Sequence, residues 1–311
     1  MPTRPTSAPG EGGGAGSAGS ARPDAPDAAS RENEAVALEV LERRLPALAF
    51  DQVKDASLVT PQNAALEWVL YEDAFAHDWA GLAAGAEVAE MDFLQRYVAY
   101  TLYAVLTGEG WRESDLWTTA ADVCDWYGAT CVGEAEDAAR EDAEGLGVER
   151  GLQQGGGGGS GHPRAIHTLQ LANNNLYGWL PPDLAVLTSL EHLELHRNGI
   201  FGEIPPSIYD MTGLRTLFLD ANRLEGPMST AIGNLVNLEK FTLSENRMGG
   251  TIPTEIGRLT NLEMIWLYNN KNLEGPFPAE MGNLVNLSAC SFVTSRLSQS
   301  PCVMSHLALP A

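Results

Sequence analysis

IHTLQLANN at residues 166–174, LEHLELHRN at 190–198, LRTLFLDAN at 214–222, LEKFTLSEN at 238–246 and LEMIWLYNN at 262–270 are one template written five times. Their first residues, Ile166, Leu190, Leu214, Leu238 and Leu262, stand 24 apart, and a sixth copy opens 25 further on at Leu287. That copy keeps apolar Cys290 and Phe292 but has Ser295 where the others carry Asn. A fixed period of roughly 20–30 residues marks an architecture of stacked repeats.

Within each copy the side chains alternate. On a short strand, Leu169 and Leu171 point to one side while Thr168, Gln170 and Ala172 point to the other. One such turn cannot bury its apolar side alone, but stacked turns share a continuous core. The Asn column (Asn174, Asn198, Asn222, Asn246, Asn270) is expected to turn the chain after each strand, its amide bonding backbone groups that would otherwise be orphaned. These Leu and Asn residues are scaffold. Function is left to the outward positions, which fall into three columns: Thr168, His192, Thr216, Lys240, Met264; Gln170, Glu194, Phe218, Thr242, Trp266; and Ala172, His196, Asp220, Ser244, Tyr268.

Outward from the repeats the chain changes character. Residues 133–165 are first acidic and then glycine-rich, with GGGGGSG at 155–161, a composition that is flexible whether it serves as linker or as looped-out insertion. The penta-glycine run has no periodic strand before it and no Lys-Ser/Thr after it, so it is no phosphate cradle. Before it, three helices are expected: one from about Arg31 to Pro46, one capped by Thr60 with Pro61 in its first turn, and one from about Asp92 to Gly108. Residues 1–30, rich in Gly, Ala, Ser and Pro, are expected to be a disordered tail. They contain no apolar run of a secretory signal, and no stretch of the chain reaches the ~18 apolar residues of a membrane helix. Read literally, the chain is expected in the cytoplasm.

The net charge is −22, and residues 1–165 hold 28 acidic against 11 basic side chains. Charge of this sign repels phosphate backbones and anionic bilayers, so neither nucleic acid nor a membrane surface is an expected partner.

The second half of each copy narrows the type. Gly202-Glu203-Ile204-Pro205 and Gly250-Thr251-Ile252-Pro253, with the variants Gly178-Trp179-Leu180-Pro181 and Gly275-Pro276-Phe277-Pro278, follow a Gly-x-Ile-Pro form. This resembles the plant-type leucine-rich repeat of receptor-like kinases, receptor-like proteins and polygalacturonase inhibitors. Ser229, where Pro is expected, and the extra residue near Lys271-Asn272 depart from the pattern. Upstream, Trp111, Trp117 and CDWYGATC at 124–131 resemble the N-terminal cap of that family, and the stretch from Thr60 to Trp111 is similar to leucine-rich-repeat proteins of diatoms and other stramenopiles. There the cap runs almost directly into the first repeat, whereas here some thirty residues intervene.

The resemblance implies a disulfide between Cys124 and Cys131, and hence an extracellular or membrane-associated setting. The spacing by itself leaves free thiols open, and no further ligands stand nearby for a metal. Cys290 occupies a Leu column and is expected to be a small buried core residue, with pairing to Cys302 left open. His192 and His196 flank Glu194 as metal ligands on a helix would, but on a strand they lie ~13 Å apart, too far for one ion. Asn286-Leu287-Ser288 is a glycosylation sequon that matters only in a secreted chain.

The expected fold is therefore an α/β solenoid: a right-handed leucine-rich-repeat superhelix with short parallel strands on its concave face. It comprises a helical region and cap at 31–132, the linker or insertion at 133–165, five full repeats and a partial sixth at 166–297, and an irregular tail at 298–311. The expected activity is non-catalytic recognition of a protein, peptide or glycan on the concave face, without cofactor or metal. The candidate contacts are His192, Glu194, His196, Phe218, Asp220, Trp266 and Tyr268. Alternatives implied by the resemblance are the ectodomain-like part of a receptor-like kinase and an inhibitor of secreted glycosidases.

Overall fold

The structure, a computed structural model, describes residues 28–46, 51, 53, 60–73, 77–131, 164–292 and 297–298. The tail at 1–27, most of the acidic and glycine-rich segment, Ser295 and Cys302 lie outside the described residues.

The periodic segment coils as its spacing demands. Strands β2 (Ile166–Gln170), β3 (His192–Glu194), β4 (Thr216–Phe218), β5 (Lys240–Thr242), β6 (Met264–Trp266) and β7 (Ala289–Ser291) are parallel and in register. Leu169, Leu193, Leu217, Phe241, Ile265 and Cys290 accordingly stand side by side. The partial sixth copy thus still adds a strand. Opposite the sheet, 3₁₀ turns at Pro182–Val186, Pro206–Asp210, Thr230–Asn234, Thr254–Arg258 and Ala279–Asn283 carry the chain back.

The Asn column does what its chemistry allows. Asn222 donates from Nδ2 to Leu195 O at 3.0 Å and Leu219 O at 3.1 Å, and its Oδ1 accepts from Ile200 N at 3.0 Å. Asn246 and Asn270 repeat this one and two turns further on. The residue before each Asn is left-handed: Asn173, Arg197, Ala221, Glu245 and Asn269 have φ between 53° and 57°. That kink swings the amide inward. A second, exposed ladder runs along the edge, where Asn237, Asn261 and Asn286 donate to Thr212 O, Val236 O and Thr260 O. The sequon residue Asn286 therefore has a structural role of its own.

The helical region closes the first turn. Its elements are α1 (Ala28–Arg44), α2 (Pro61–Glu67, prolonged by a π turn to Glu72), α3 (Trp79–Ala83) and α4 (Glu87–Val105). Thr60 caps α2 as expected, accepting from Asn63 N at 3.1 Å. Two details differ from the expectation. Helix α4 starts at Glu87, five residues early, and α3 was not anticipated; its N-terminus is made by Asp78, which accepts from Gly81 N at 2.8 Å. Both lie where Ala and Gly blur the apolar period.

Strand β1 (Ala129–Cys131) pairs antiparallel with β2 and extends the sheet to seven strands. Cys124 and Cys131 are bonded, with Cα atoms 5.4 Å apart. Gly128, between them, has φ +80°, and a Cβ there would sit 2.3 Å from Gln170 O. Only glycine fits that junction. Cys131 is also the register partner of Ile166, so the chain departs and returns at adjacent points.

At the other end the reading of Cys290 needs correcting. It is half-buried and disulfide-bonded, not a buried thiol.

A single apolar core runs from Ala37 in α1 to Phe292 after β7. Cap and repeats are further joined by polar side chains. Gln95 on α4 donates to Arg164 O at 3.0 Å and accepts from Ile166 N at 2.6 Å, clamping the chain as it enters β2. Fully buried Asp183, in the first 3₁₀ turn, accepts from Gln62 Nε2 at 3.0 Å and Tyr97 Oη at 3.2 Å. Burial raises the Asp183 carboxyl above the usual carboxylate range, and burial and the neighbouring Asp183 push the Tyr97 phenol well up.

Two outcomes follow from these contacts. Asn222→Ala removes the acceptor of the buried Ile200 N–H and one of two asparagine donors from each of Leu195 O and Leu219 O, and should cost about 3 kcal/mol in urea unfolding, whereas Asn237→Ala on the exposed ladder should cost about 1 kcal/mol or less. Because the folded pKa of Asp183 is raised, its stabilising contribution is complete below the unfolded pKa and lost as pH rises through the folded value. The stability advantage of the native chain over Asp183→Asn should therefore be larger at about pH 4 than at about pH 8, read from paired urea midpoints.

Candidate functional site

Six parallel strands place the outward columns on one rigid, stacked surface. Neighbouring residues of a column sit on adjacent strands roughly 4.8 Å apart, close enough for side chains to interlock. Aromatic rings from different columns meet in two groups, one across adjacent repeats and one within a single repeat. His196 and Phe218 meet edge to face with centroids 6.0 Å apart, and Trp266 and Tyr268 are tilted at 6.5 Å. All four are half-buried. Interlocking covers part of each ring.

Between the aromatic groups the surface is small and polar. The Thr242 hydroxyl donates to Asp220 Oδ1. Thr242 and Ser244, at 2% and 0% exposure, are covered by their neighbours and offer little contact area. Thr216 is also buried and bonds His192 Nδ1 at 3.0 Å. Glu194 is half-buried and accepts from Gln170 Nε2 at 3.3 Å. His196 Nδ1 and Ser244 Oγ have no hydrogen-bond partner among the described residues. Two polar atoms that have given up water without a partner are a cost that a bound group with matching donors or acceptors would remove.

The structure thus brings Glu194, His196, Phe218 and Asp220 together in the middle of the face, with Trp266 and Tyr268 toward its far end. His192 stands apart at the near edge. Its ring lies against His167, with centroids 5.3 Å apart, and not against His196. His167 was not singled out in the sequence, because its partner lies one repeat away and not along the strand.

A second feature was also missed. Tyr177 and Trp179 are 50% and 45% exposed on the flank, and Phe201 lies 5.2 Å from Tyr177 and 6.4 Å from Trp179. The Arg223 guanidinium covers Tyr177 at 5.8 Å. These residues occupy variable positions of the Gly-x-Ile-Pro segment, where the core requires no aromatic. That was the available signal.

A family model described as Leucine Rich Repeat matches residues 189–211 and 237–259. Among solved structures, a plant peptide hormone receptor, RGFR1 in complex with RGF2, is 40% identical over 42% of this chain and 21% of its own, with a TM-score of 0.41. The ectodomain of the receptor kinase SOBIR1 from Arabidopsis thaliana is 20% identical over 67% of this chain and 95% of its own, with a TM-score of 0.48. A plant ice-binding protein is 23% identical over 63% of this chain and 54% of its own, with a TM-score of 0.50. The chain spans about a fifth of the length of the peptide hormone receptor. No curated protein matches it.

Proposed function

We propose that this chain, a leucine-rich-repeat solenoid of plant-type pattern, is a recognition module that holds a peptide segment of a protein partner across its concave face without catalysing a reaction. The observation that carries this reading is the pair of interlocked aromatic groups, His196–Phe218 and Trp266–Tyr268, on a rigid sheet. Aromatic side chains bring a large contact area at low entropic cost and dominate binding energy at protein interfaces. The unpartnered His196 Nδ1 and Ser244 Oγ lie on the same column, and an extended peptide carries backbone donors and acceptors along its length. Glu194 and Asp220 make the middle of the face acidic, which favours a segment with a basic side chain there.

The sheet is held by its ladder before any partner arrives, so little ordering cost falls on this side of the complex. That the peptide-hormone receptor was solved with its peptide agrees with this reading but does not carry it.

A random-peptide library displayed on phage and selected against the intact chain tests the proposal. Selected peptides should bind Phe218→Ala and Trp266→Ala variants at least about tenfold more weakly, a change of about 1.4 kcal/mol. Binding should be unaltered by Val236→Ala and Val285→Ala on the exposed opposite side. Equal binding to all four variants would place the contact surface elsewhere and overturn the reading.

A further inference from the structure

At the near edge of the sheet, His167 and Glu191 hold the same template position in consecutive repeats, and His192 follows Glu191 in the chain. Parallel register stacks the first two, and His192, the first residue of β3, lies beside them. One ligand atom from each of the three lies within 4.8 Å of the others. His167 Nε2 is 3.2 Å from Glu191 Oε2, and the two imidazoles meet nearly edge to face.

The hydroxyls around the cluster orient both rings. His192 Nδ1 lies 3.0 Å from Thr216 Oγ1, and His167 Nδ1 lies 3.3 Å from Thr168 Oγ1. Each imidazole therefore has its Nδ1 beside a threonine hydroxyl, which makes Nε2 the atom for a ligand; that of His167 already faces the Glu191 carboxylate with which it would share the ion. That division of labour is what an outer hydrogen-bond partner imposes on a metal-binding histidine.

We propose that His167, Glu191 and His192 form a site for one divalent transition ion of the zinc class, bridging the first two repeats. Two imidazoles and a carboxylate are a zinc donor set that leaves a fourth position for water or an incoming group. Calcium and magnesium, which take oxygen ligands, do not suit it. Metal bonds of about 2.1 Å in a tetrahedron put ligand atoms about 3.4 Å apart, so the histidine–glutamate separation already fits and the remaining atoms must close by about an ångström or more. His167 and Glu191 side chains, 28% and 35% exposed, have room to do so.

The competing interaction is Arg215, whose Nε donates to Glu191 Oε2 at 2.8 Å. Arg215 also holds Glu239 Oε1 through Nη1 at 2.6 Å, so it retains a carboxylate when Glu191 turns to the ion. Glu191, Glu194 and Glu239 all act on His192. They outnumber the one guanidinium and leave a local negative surplus that attracts a cation.

Isothermal titration of the chelator-treated full chain with zinc chloride should show saturable uptake of one ion, accompanied by a rise in thermal midpoint. Calcium chloride should give neither. His167→Gln and His192→Gln should each weaken uptake by well over about tenfold, and Thr216→Val, which frees the ring, by about tenfold. Cobalt(II) added to the unaltered chain, which needs no variant to fold, should develop the visible absorption of a four-coordinate site. Absence of saturable zinc uptake, an octahedral cobalt spectrum, or uptake undiminished in both histidine variants would overturn the proposal.

Discussion

From the second turn to the fifth, each turn of this solenoid is tied to the one before it by one asparagine, buried in the third, fourth and fifth. An amide offers two donors and an acceptor in one plane, and here the donors reach carbonyls of two successive repeats while the acceptor takes an N–H from the preceding one. Asn246, for example, holds Leu219 O and Leu243 O and accepts from Leu224 N. No apolar residue can make these bonds, and a longer side chain would not reach them from the left-handed kink that precedes it. The constraint also runs upstream. The first asparagine, Asn174, has no earlier repeat and is satisfied by the cap, donating to Glu113 O and accepting from Glu113 N at 2.7 Å each. The cap is therefore a stand-in for a missing turn, not an appendage.

What secures the cap itself is a buried charge. Arg96 on α4 is 1% exposed and sits between the rings of Trp68 and Trp126 at 5.4 and 5.1 Å. Its guanidinium bonds both carboxylate oxygens of Asp73, Ala121 O at 2.7 Å, and Thr119 O. Burying an ion is costly unless it is paired and hydrogen-bonded, and here the partners of this α4 residue come from the chain after α2 and from the loop before the disulfide. Only one arrangement of these segments satisfies the charge, so the arginine selects the geometry more than it adds stability. Beside it Trp111, Trp117 and Trp126 meet in sequence, edge to face and then tilted, with centroids 4.8 and 5.2 Å apart and each indole N–H bonded to a carbonyl.

How much of this could be read from the chain follows from the range of each interaction. The strands, their register and the asparagine turns were legible because the repeat writes the same local demand five times. The cap disulfide was legible through the resemblance of CDWYGATC to a known cap. Arg96 and Asp73 were not, because a pair 23 residues apart leaves no period to detect. The same limit applied across the strands. His192 and His196 are near along the chain, whereas the spatial neighbour of His192 is His167 one repeat earlier. Side-chain exposure was also misjudged: a column reads as outward whether its members stand free, like Gln170, or are covered, like Ser244.

A solenoid of this kind separates scaffold from surface more cleanly than a globular core does. Leu217 and Phe218 are adjacent in sequence, yet one is fixed by the stack and the other only by its neighbours on the concave face. Changing Phe218 alters one contact with His196, while changing Leu217 opens the core between two repeats. The columns can therefore diverge residue by residue without disturbing register, and chemistry is assembled across repeats. His167, Glu191 and His192 illustrate it: none belongs to the template, and they meet because two turns of 24 residues place them side by side. Any insertion within the first repeat would break that meeting, whereas the long acidic segment, which leaves beside β2 and rejoins it at the adjacent point, does not. Its position before the first full period is what the register of the solenoid permits.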